Sequence, residues 1–485
     1  MRRLPLALGL LAALCGCTVG PDYKIPTNAI VNASAANGAF TATGDPAVSA
    51  KAPPDYWWRL YDDARLDQLV QQALAANTDL RVANANLEQS QALLREAKTL
   101  REPSVALAGA LQYGQAAGEQ YLQPITPPLN SDYEVGATIG YDLDLFGGIR
   151  RGIEARAADD QAVEAARDLV KVNVVAQTAL AYAGACGAGL QLAAAQRSLA
   201  LQEHDVALLQ RLHMGGRALD LDITRAQQVA DSIATSVPTL EAAQRNALFR
   251  LATLTGRPPA QFDRDLLGCA TPPRLDQPIP IGDGAMLLKR RPDVRGAERQ
   301  LAAATAEIGV ATAELYPDVR IGLSAGSIGI TPDLLKSATN FWNFGVSVNW
   351  QANQSAARAR IDSANAGAKA ALAHFDGVVL GALRDIESSL NVYVHDLQRE
   401  AKARSSRDEA WRAALDLRRL EVGGRATEFS VLDAQRSLAA AEQSFAQAQS
   451  ALANDQVELF LALGGGWQLE AVTSTENALG RTADQ

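Results

Sequence analysis

The clearest pattern along the chain is a seven-residue hydrophobic period that occurs twice. Hydrophobic or small residues recur at every seventh position through residues 66–94, and again through residues 287–315. A strict seven-residue period predicts a helix that supercoils against a neighbour. Pro103 follows the first segment and Pro317 the second, and a helix usually ends before a proline. The pattern therefore predicts one helix in two copies.

After each proline, the period changes from seven to two. Apolar residues alternate with small or polar ones in four segments, at residues 105–113, 133–143, 319–323 and 342–350. This alternation predicts strands with one apolar face. Such strands fit a soluble sandwich, and they also fit a transmembrane barrel with lipid outside and water inside.

Aromatic residues favour the membrane barrel. On the apolar faces, Tyr133 and Tyr141 are eight residues apart, and so are Trp342 and Trp350. Eight residues extend about 26 Å along a strand, or about 20 Å in membrane depth at a tilt near 40°. Two aromatic belts around an apolar band have this spacing. Because four strands cannot close a barrel, we expect several chains to contribute, and three chains of four strands give a trimer with twelve.

Each strand pair precedes a very long helical pattern and a return helix. The long helices are predicted at residues 149–213 and 356–422, and the return helices at 218–256 and 427–464. A helix of about 65 residues is about 100 Å long. Alanine in the seam of the return helices permits close packing, which fits either the wall of a tube or a closed coiled-coil hairpin.

A double glycine separates each long helix from its return helix. Glycine can end a helix and let the backbone reverse. Residues 211–227 and 419–436 match each other at an offset of 208 positions, which indicates a tandem duplication. The matching turn residues are Gly215, Gly216 and Arg217 in the first copy and Gly423, Gly424 and Arg425 in the second.

The start of the chain reads as an export signal. Residues 1–16 combine a positive start with an apolar run, which predicts a signal peptide. The small residues before Cys17 predict an acylated N-terminus, with an ordinary secretory leader as the alternative. The further segments are an extended lipidated arm at 17–64, repeat 1 at 65–257, a proline-rich linker at 258–281, repeat 2 at 282–466 and a flexible tail at 467–485.

Composition narrows the class of protein. The net charge is −9 with no basic stripe, which argues against nucleic acid as a partner. No run of about 18 apolar residues follows the leader, so we expect no transmembrane helix. Cys186 in a helical pattern and Cys269 in the linker are expected to be small packing residues, not a disulfide or a metal site.

No motif of an enzyme is found in the chain. Its four histidines are scattered along helical patterns, without a nucleophile elbow, a phosphate loop or a zinc motif. We therefore expect no enzymatic activity, no metal and no cofactor. A periplasmic coiled-coil scaffold would explain the heptads, but not the strands with aromatic residues.

Five short motifs follow one another along the chain. They are Cys17-Thr-Val-Gly-Pro-Asp-Tyr, Trp57-Trp58 before Tyr61-Asp-Asp, Asn77-Thr-Asp-Leu, Tyr141-Asp-Leu-Asp-Leu-Phe-Gly-Gly and Leu432-Asp-Ala-Gln-Arg436. Together they resemble the TolC-like outer-membrane efflux proteins, specifically the lipoprotein channels that serve RND pumps. One segment departs from the family pattern: residues 350–358 lack its proline and glycines, so this junction is expected to bend differently.

The resemblance implies an α+β membrane protein built as a tandem repeat. Each repeat adds two strands to a homotrimeric twelve-stranded β-barrel in the outer membrane, continued by a twelve-helix α-barrel in the periplasm. The implied function is a passive duct for small molecules, with protein secretion as an alternative. The implied partners are outer-membrane lipid, a periplasmic adaptor (membrane fusion) protein and an inner-membrane RND transporter.

The resemblance also implies a gate beside the second turn. Phe429, Asp433 and Arg436 occupy the positions of the constriction residues, and Asp433 would form an acidic ring in a trimer with Arg436 as a plausible partner. The alternative is a solvated pair on an exposed helix face. Because Arg225 stands where the second copy has Asp433, only the second copy can supply the ring, and both turns are expected to dock the adaptor.

Overall fold

The computed structural model of the protein describes residues 18–115, 117, 122 and 124–465. The signal peptide, Cys17 and the tail at 467–485 lie outside the described residues. The first half contains β1 (Val48–Ser49), α1 (Ala64–Ala76), α2 (Thr78–Thr99), β2 (Ser104–Gly114), β3 (Asn130–Asp142), α3 (Gly148–Met214) and α4 (Asp220–Leu254). The second half contains β4 (Ile279–Pro280), α5 (Gly284–Arg290), α6 (Pro292–Ala313), β5 (Asp318–Ile330), β6 (Asn340–Asn349), α7 (Ser355–Val422) and α8 (Glu428–Ala462).

The two halves repeat one order of elements, as the periods predicted. The long helices and the return helices begin and end within about two residues of the predicted bounds. The first heptad segment is interrupted, because Asn77 stands between α1 and α2. Its Oδ1 accepts hydrogen bonds from the amides of Asp79 (2.9 Å) and Leu80 (3.1 Å), which caps α2.

One compact unit comprises the described residues of 18–27, Asn86–Glu164 and Gly296–Phe375. It contains a four-stranded antiparallel sheet in the order β2-β3-β5-β6. β5 is longer than predicted, because its second half is rich in serine and glycine and lacks a clear apolar period. Gly326 allows close strand contact there, since an added Cβ would lie 2.4 Å from the carbonyl oxygen of Val135.

The second unit comprises Asn28–Ala85, Ala165–Arg295 and the chain from Asp376 onward. Its core joins the ends of the helices to the N-terminal arm. Trp57 is fully buried and stacks on Phe460 with ring centroids 4.7 Å apart. β1 of the arm pairs in parallel with β4 of the linker. The arm is therefore more than the extended surface segment that the sequence predicted, because its aromatic residues fill the core.

A disulfide joins Cys186 of α3 to Cys269 of the linker, within the second unit. The prediction that both cysteines are only packing residues is wrong. Sequence spacing could not reveal the pair, because 83 positions separate the two residues. Gly189 lets the linker approach α3, since a Cβ there would lie 2.0 Å from the carbonyl oxygen of Cys269. A disulfide is typical of an exported protein.

The long helices are more apolar than expected. α3 and α7 each contain an 18-residue stretch that could cross a membrane by length and composition alone. In α3, 61% of that stretch is buried inside the chain. The buried core helix of a soluble protein can be equally long and apolar. Length and composition therefore do not assign either helix to a bilayer.

We expect the disulfide to stabilise the second unit. Replacing Cys269 with serine should lower the free energy of unfolding by about 4 kcal/mol, because closing a loop of this length restricts the unfolded chain. The measurement is thermal unfolding followed by the helical circular dichroism signal. Reduction of the parent protein should reproduce the effect of Cys269→Ser, and a reductant should leave the variant unchanged. Equal melting temperatures for oxidised and reduced parent protein would contradict the prediction.

Candidate functional site

The two double-glycine turns have the same geometry. Gly216 has φ +68° and Gly424 has φ +69°, the left-handed conformation that favours glycine. The next amide, of Arg217 or Arg425, donates a 2.8 Å hydrogen bond back to the preceding helix. This is the Schellman arrangement, which ends a helix and reverses the chain.

The turns expose both charged and apolar side chains. Gly215, Arg217, Gly423 and Arg425 are exposed, as a docking role requires. Beside them, Met214 is 79% exposed and Val422 82% exposed. Exposed apolar side chains at a chain reversal indicate a surface that a partner can cover.

The predicted gate residues differ in exposure. Phe429 and Asp433 are exposed on α8, whereas Arg436 is half-buried. Within the described part of the chain, no ion pair joins Asp433 to Arg436, so the predicted pairing is not formed. Asp433 is exposed, whereas the charge of Arg436 acts on the buried Asp205 of α3 and favours its ionised form.

Asp205 is a residue that the sequence analysis missed. It is only 4% exposed. Burial, together with the nearby Glu428 carboxylate, raises the pKa of Asp205 to about 6, while His204, Arg418 and Arg436 act in the opposite direction. The signal was available: a carboxylate lies on an inward face with Gln202, Val206 and Leu209, at helical spacing.

The chain next to the predicted lipidation site is fixed at the end of β3. Thr18 accepts a 2.6 Å hydrogen bond from the Arg150 guanidinium, and the Val19 amide donates to the Phe146 carbonyl at 3.1 Å. Gly147 has φ +78°, and a Cβ there would lie 2.7 Å from Thr18. The residue after Cys17 is therefore held at the β3–α3 junction.

The four predicted belt residues do not share one environment. Trp342 is 76% exposed, and Tyr141 and Trp350 are also exposed. Tyr133 is only 5% exposed, because the turn between β5 and β6 covers it. Its hydroxyl accepts a hydrogen bond from the Leu335 amide at 2.9 Å. Tyr133 is thus not part of the exposed aromatic surface, since alternation places a residue on a face but does not show which loop folds over it.

The two strand-to-helix junctions are built differently. At the first, the Asp144 carboxylate accepts hydrogen bonds from the amides of Ile149 (2.9 Å) and Arg150 (3.0 Å). At the second, Trp350 and Gln354 both donate side-chain hydrogen bonds to the Leu315 carbonyl, at 3.1 and 3.2 Å. Glycine is needed only at the first junction, where Gly147 has a positive φ.

Among the described residues, no group of three or more histidine, cysteine, aspartate or glutamate side chains is arranged to hold a metal ion. The two turns and the helix ends beside them, which we call the tip, instead combine exposed glycines and arginines with two carboxylates. Asp433 is exposed and Asp205 is buried. The exposed turns can bind a partner protein, and the two carboxylates can interact with cations or with protons.

Comparison with known proteins identifies the architecture. The family model for "Outer membrane efflux protein" matches residues 69–257 and 285–465. The chain is 28% identical to Nodulation protein T of Rhizobium leguminosarum bv. trifolii, over 94% of this chain and 95% of that protein. It is 28% identical to the solvent efflux pump outer membrane protein SrpC of Pseudomonas putida, over 97% of this chain and 99% of that protein.

Solved structures agree with these relatives. The structure of the outer-membrane channel OprN is similar with a TM-score of 0.85 and 34% identity, over 93% of this chain and 100% of that chain. The open state of the Neisseria gonorrhoeae MtrE outer membrane channel is similar with a TM-score of 0.80 and 26% identity, over 93% of this chain and 99% of that chain.

We expect the Tyr133 hydroxyl to hold the β5–β6 turn in place. Tyr133→Phe removes the acceptor of the Leu335 amide and the 2.8 Å contacts with the Ser327 and Thr339 hydroxyls. Each such hydrogen bond contributes about 0.5–1.5 kcal/mol, so hydrogen exchange of the Leu335 amide should become about tenfold faster. The control is Tyr141→Phe on the same strand, which should leave that amide unchanged. Equal exchange in Tyr133→Phe and the parent would overturn this role.

Proposed function

Because the chain belongs to the outer membrane efflux protein family, it is an outer-membrane efflux channel, and we propose that it forms the exit duct of a tripartite pump. The duct is passive and carries small molecules from the periplasm to the exterior. Its partners are a periplasmic adaptor protein and an inner-membrane RND transporter. The observation that carries the proposal is the match of both repeats, over residues 69–257 and 285–465, to one family of efflux proteins.

The sheet supports a homotrimer. Among the described strands, β2 and β6 each pair with one neighbour only and so leave one edge open. In lipid, an open edge leaves backbone groups without hydrogen-bond partners. An even number of antiparallel strands lets β6 of one copy pair antiparallel with β2 of the next. Three copies then give twelve strands, above the eight that the smallest membrane barrels need.

The position of Thr18 supports a lipid anchor on Cys17. The β3–α3 junction is where the predicted membrane strands end and the predicted periplasmic helix begins. An acyl group on the residue before Thr18 would therefore lie close to the inner surface of the outer membrane. One acylated residue with additional contacts gives stable anchoring when a barrel also crosses the bilayer.

The exposed turns support adaptor docking. Both carry an arginine and a large apolar side chain, Arg217 with Met214 and Arg425 with Val422. A charged residue that positions a partner beside an apolar contact is typical of protein interfaces. The likeness of the two turns would let adaptor subunits bind alternate hairpins in a similar way.

The exposed Asp433 and Phe429 support a gate. Asp433 has no ion-pair partner in the described chain, so three copies around an axis would form a ring of negative charge. Such a ring favours the passage of cations. Phe429 lies one helical turn before Asp433 and would narrow the opening with apolar surface.

The relatives support a duct that does not select its cargo. Relatives of equal similarity, 28% identical to the chain, include a toluene efflux pump outer membrane protein and a pyoverdine export outer membrane protein. The two named cargoes differ greatly in polarity. We therefore assign cargo selection to the inner-membrane pump.

We expect the gate variants to change conduction in planar bilayers in two distinct ways. Phe429→Ala should raise the single-channel conductance, because it removes a bulky side chain from the opening. Asp433→Ala should lower the preference for cations over anions about tenfold, since removing a nearby charge changes an ion's energy by about 1–4 kcal/mol. Asp231→Ala, an exposed carboxylate on α4, is the control. If both gate variants keep the conductance and the selectivity of the parent channel, the gate assignment is wrong.

We expect the turns to contact the adaptor directly. Cysteines placed at Ala218 and Ala426 should form cross-links to the periplasmic adaptor in cells, identified by mass spectrometry. A cysteine at Ala366, near the start of α7, is the matched control and should give none. If the turn positions give no adduct while the channel is assembled in the outer membrane, docking through the turns is wrong.

A further inference from the structure

The tip contains a buried carboxylate that the channel function does not explain. Asp205 lies on α3, three turns before the first double glycine, and is 4% exposed. Its neighbours Val206 and Leu209 pack against Leu432 of α8. Asp205 is thus placed where the first hairpin touches the helix that carries the gate residues.

Charged groups from three helices surround this carboxylate. On its own helix, the His204 ring lies 3.9 Å from it. On α7, Arg418 lies 3.8 Å from Glu428 and 3.9 Å from Glu421. On α8, Glu428 and Arg436 both interact with it electrostatically. The Asp205 side chain is 6% exposed, and within the described residues the buried Nε of Arg436 lacks a hydrogen-bond partner.

An ionised carboxylate in this place is poorly solvated. Burial disfavours the charged form, and Glu428 repels it. Arg418 and Arg436 attract it. The neutral acid fits the packed contact between the hairpins better than the carboxylate does.

We propose that Asp205 is a positioning residue for the gate: uncharged, it holds α8 against α3, and ionised, it weakens this contact so that the hairpins can part. The proposal rests on the channel function given above. It makes the opening of the tip depend on pH through a residue that need not touch the cargo.

The sign of the pH dependence follows from the pKa of Asp205. Burial raises it from its usual 3.8 to about 6 in the packed tip. Protonation therefore stabilises the packed tip. This stabilisation is fully present below the usual pKa of 3.8 and is lost as the pH rises from there through about 6. If parting returns the carboxyl to water, the ratio of parted to packed hairpins rises up to about 100-fold per protomer across this whole window, of which about tenfold falls between pH 5.0 and pH 7.5.

The first experiment measures the open probability of the trimer in planar bilayers at pH 5.0 and pH 7.5. The parent channel should open more at pH 7.5. Asp205→Asn, which mimics the neutral acid, should open rarely at both values. Glu203→Gln, an exposed neighbour on the same helix, should keep the parent's response. A parent channel that conducts but opens equally at both values would overturn the proposal and leave the channel function intact.

Two further variants separate the role of Asp205 from those of His204 and Asp455. His204→Gln should keep the rise in opening with pH. Asp455→Asn should also keep it, although burial and the neighbouring Asp396 raise the pKa of Asp455 to about 7. If either variant abolishes the response while Asp205→Asn retains it, the switch lies elsewhere.

A structural readout does not depend on conduction. Spin labels on cysteines at Ala207 of α3 and Ala440 of α8 report the distance between the two hairpins. The distance distribution should broaden and lengthen from pH 5.0 to pH 7.5 in the parent, and should stay unchanged in Asp205→Asn. A distance independent of pH in the parent would contradict the proposal even if the channel conducts.

Discussion

Unpaired sheet edges constrain everything else in this protein. A four-stranded sheet exposes the backbone of β2 on one side and of β6 on the other. Water can satisfy such edges in a soluble protein, but hydrocarbon cannot. The chain therefore requires other copies of itself before its strands can cross a membrane. The tandem repeat meets this need economically, because each copy supplies an even number of antiparallel strands that join without a change of direction.

Small residues let the helices pack closely. The buried face of α3 consists largely of alanine, including Ala165, Ala176, Ala179 and Ala185. Alanine lets helix axes approach closely and costs little side-chain entropy. The larger side chains gather in one place, around Trp57, Trp58 and Phe460, where the arm and the linker join the helices. The Cys186–Cys269 disulfide attaches the linker to α3 beside this same core cluster.

The two hairpins share a backbone but not their charges. Asp205 of the first copy corresponds to Ala413 of the second, and Arg225 corresponds to Asp433. One hairpin thus holds its carboxylate between helices, and the other exposes its carboxylate on the surface. After duplication, the turns kept the glycine geometry that the reversal requires, while the helix faces were free to change. In the gate that we propose, this division separates the positioning residue, Asp205, from Asp433 of the opening itself.

The sequence by itself determined the elements and their order. Heptads, two-residue alternation and the double glycines are local patterns, and each follows from the geometry of a single helix, strand or turn. They predicted the long helices to within about two residues, and five short motifs carried the resemblance to efflux channels. The tertiary structure alone decided which residues meet across long separations. The Cys186–Cys269 disulfide, the cover over Tyr133 and the packing of Val206 and Leu209 with Leu432 all join distant segments. A periodic pattern shows which face a side chain is on, but only the packed chain shows what lies opposite that face.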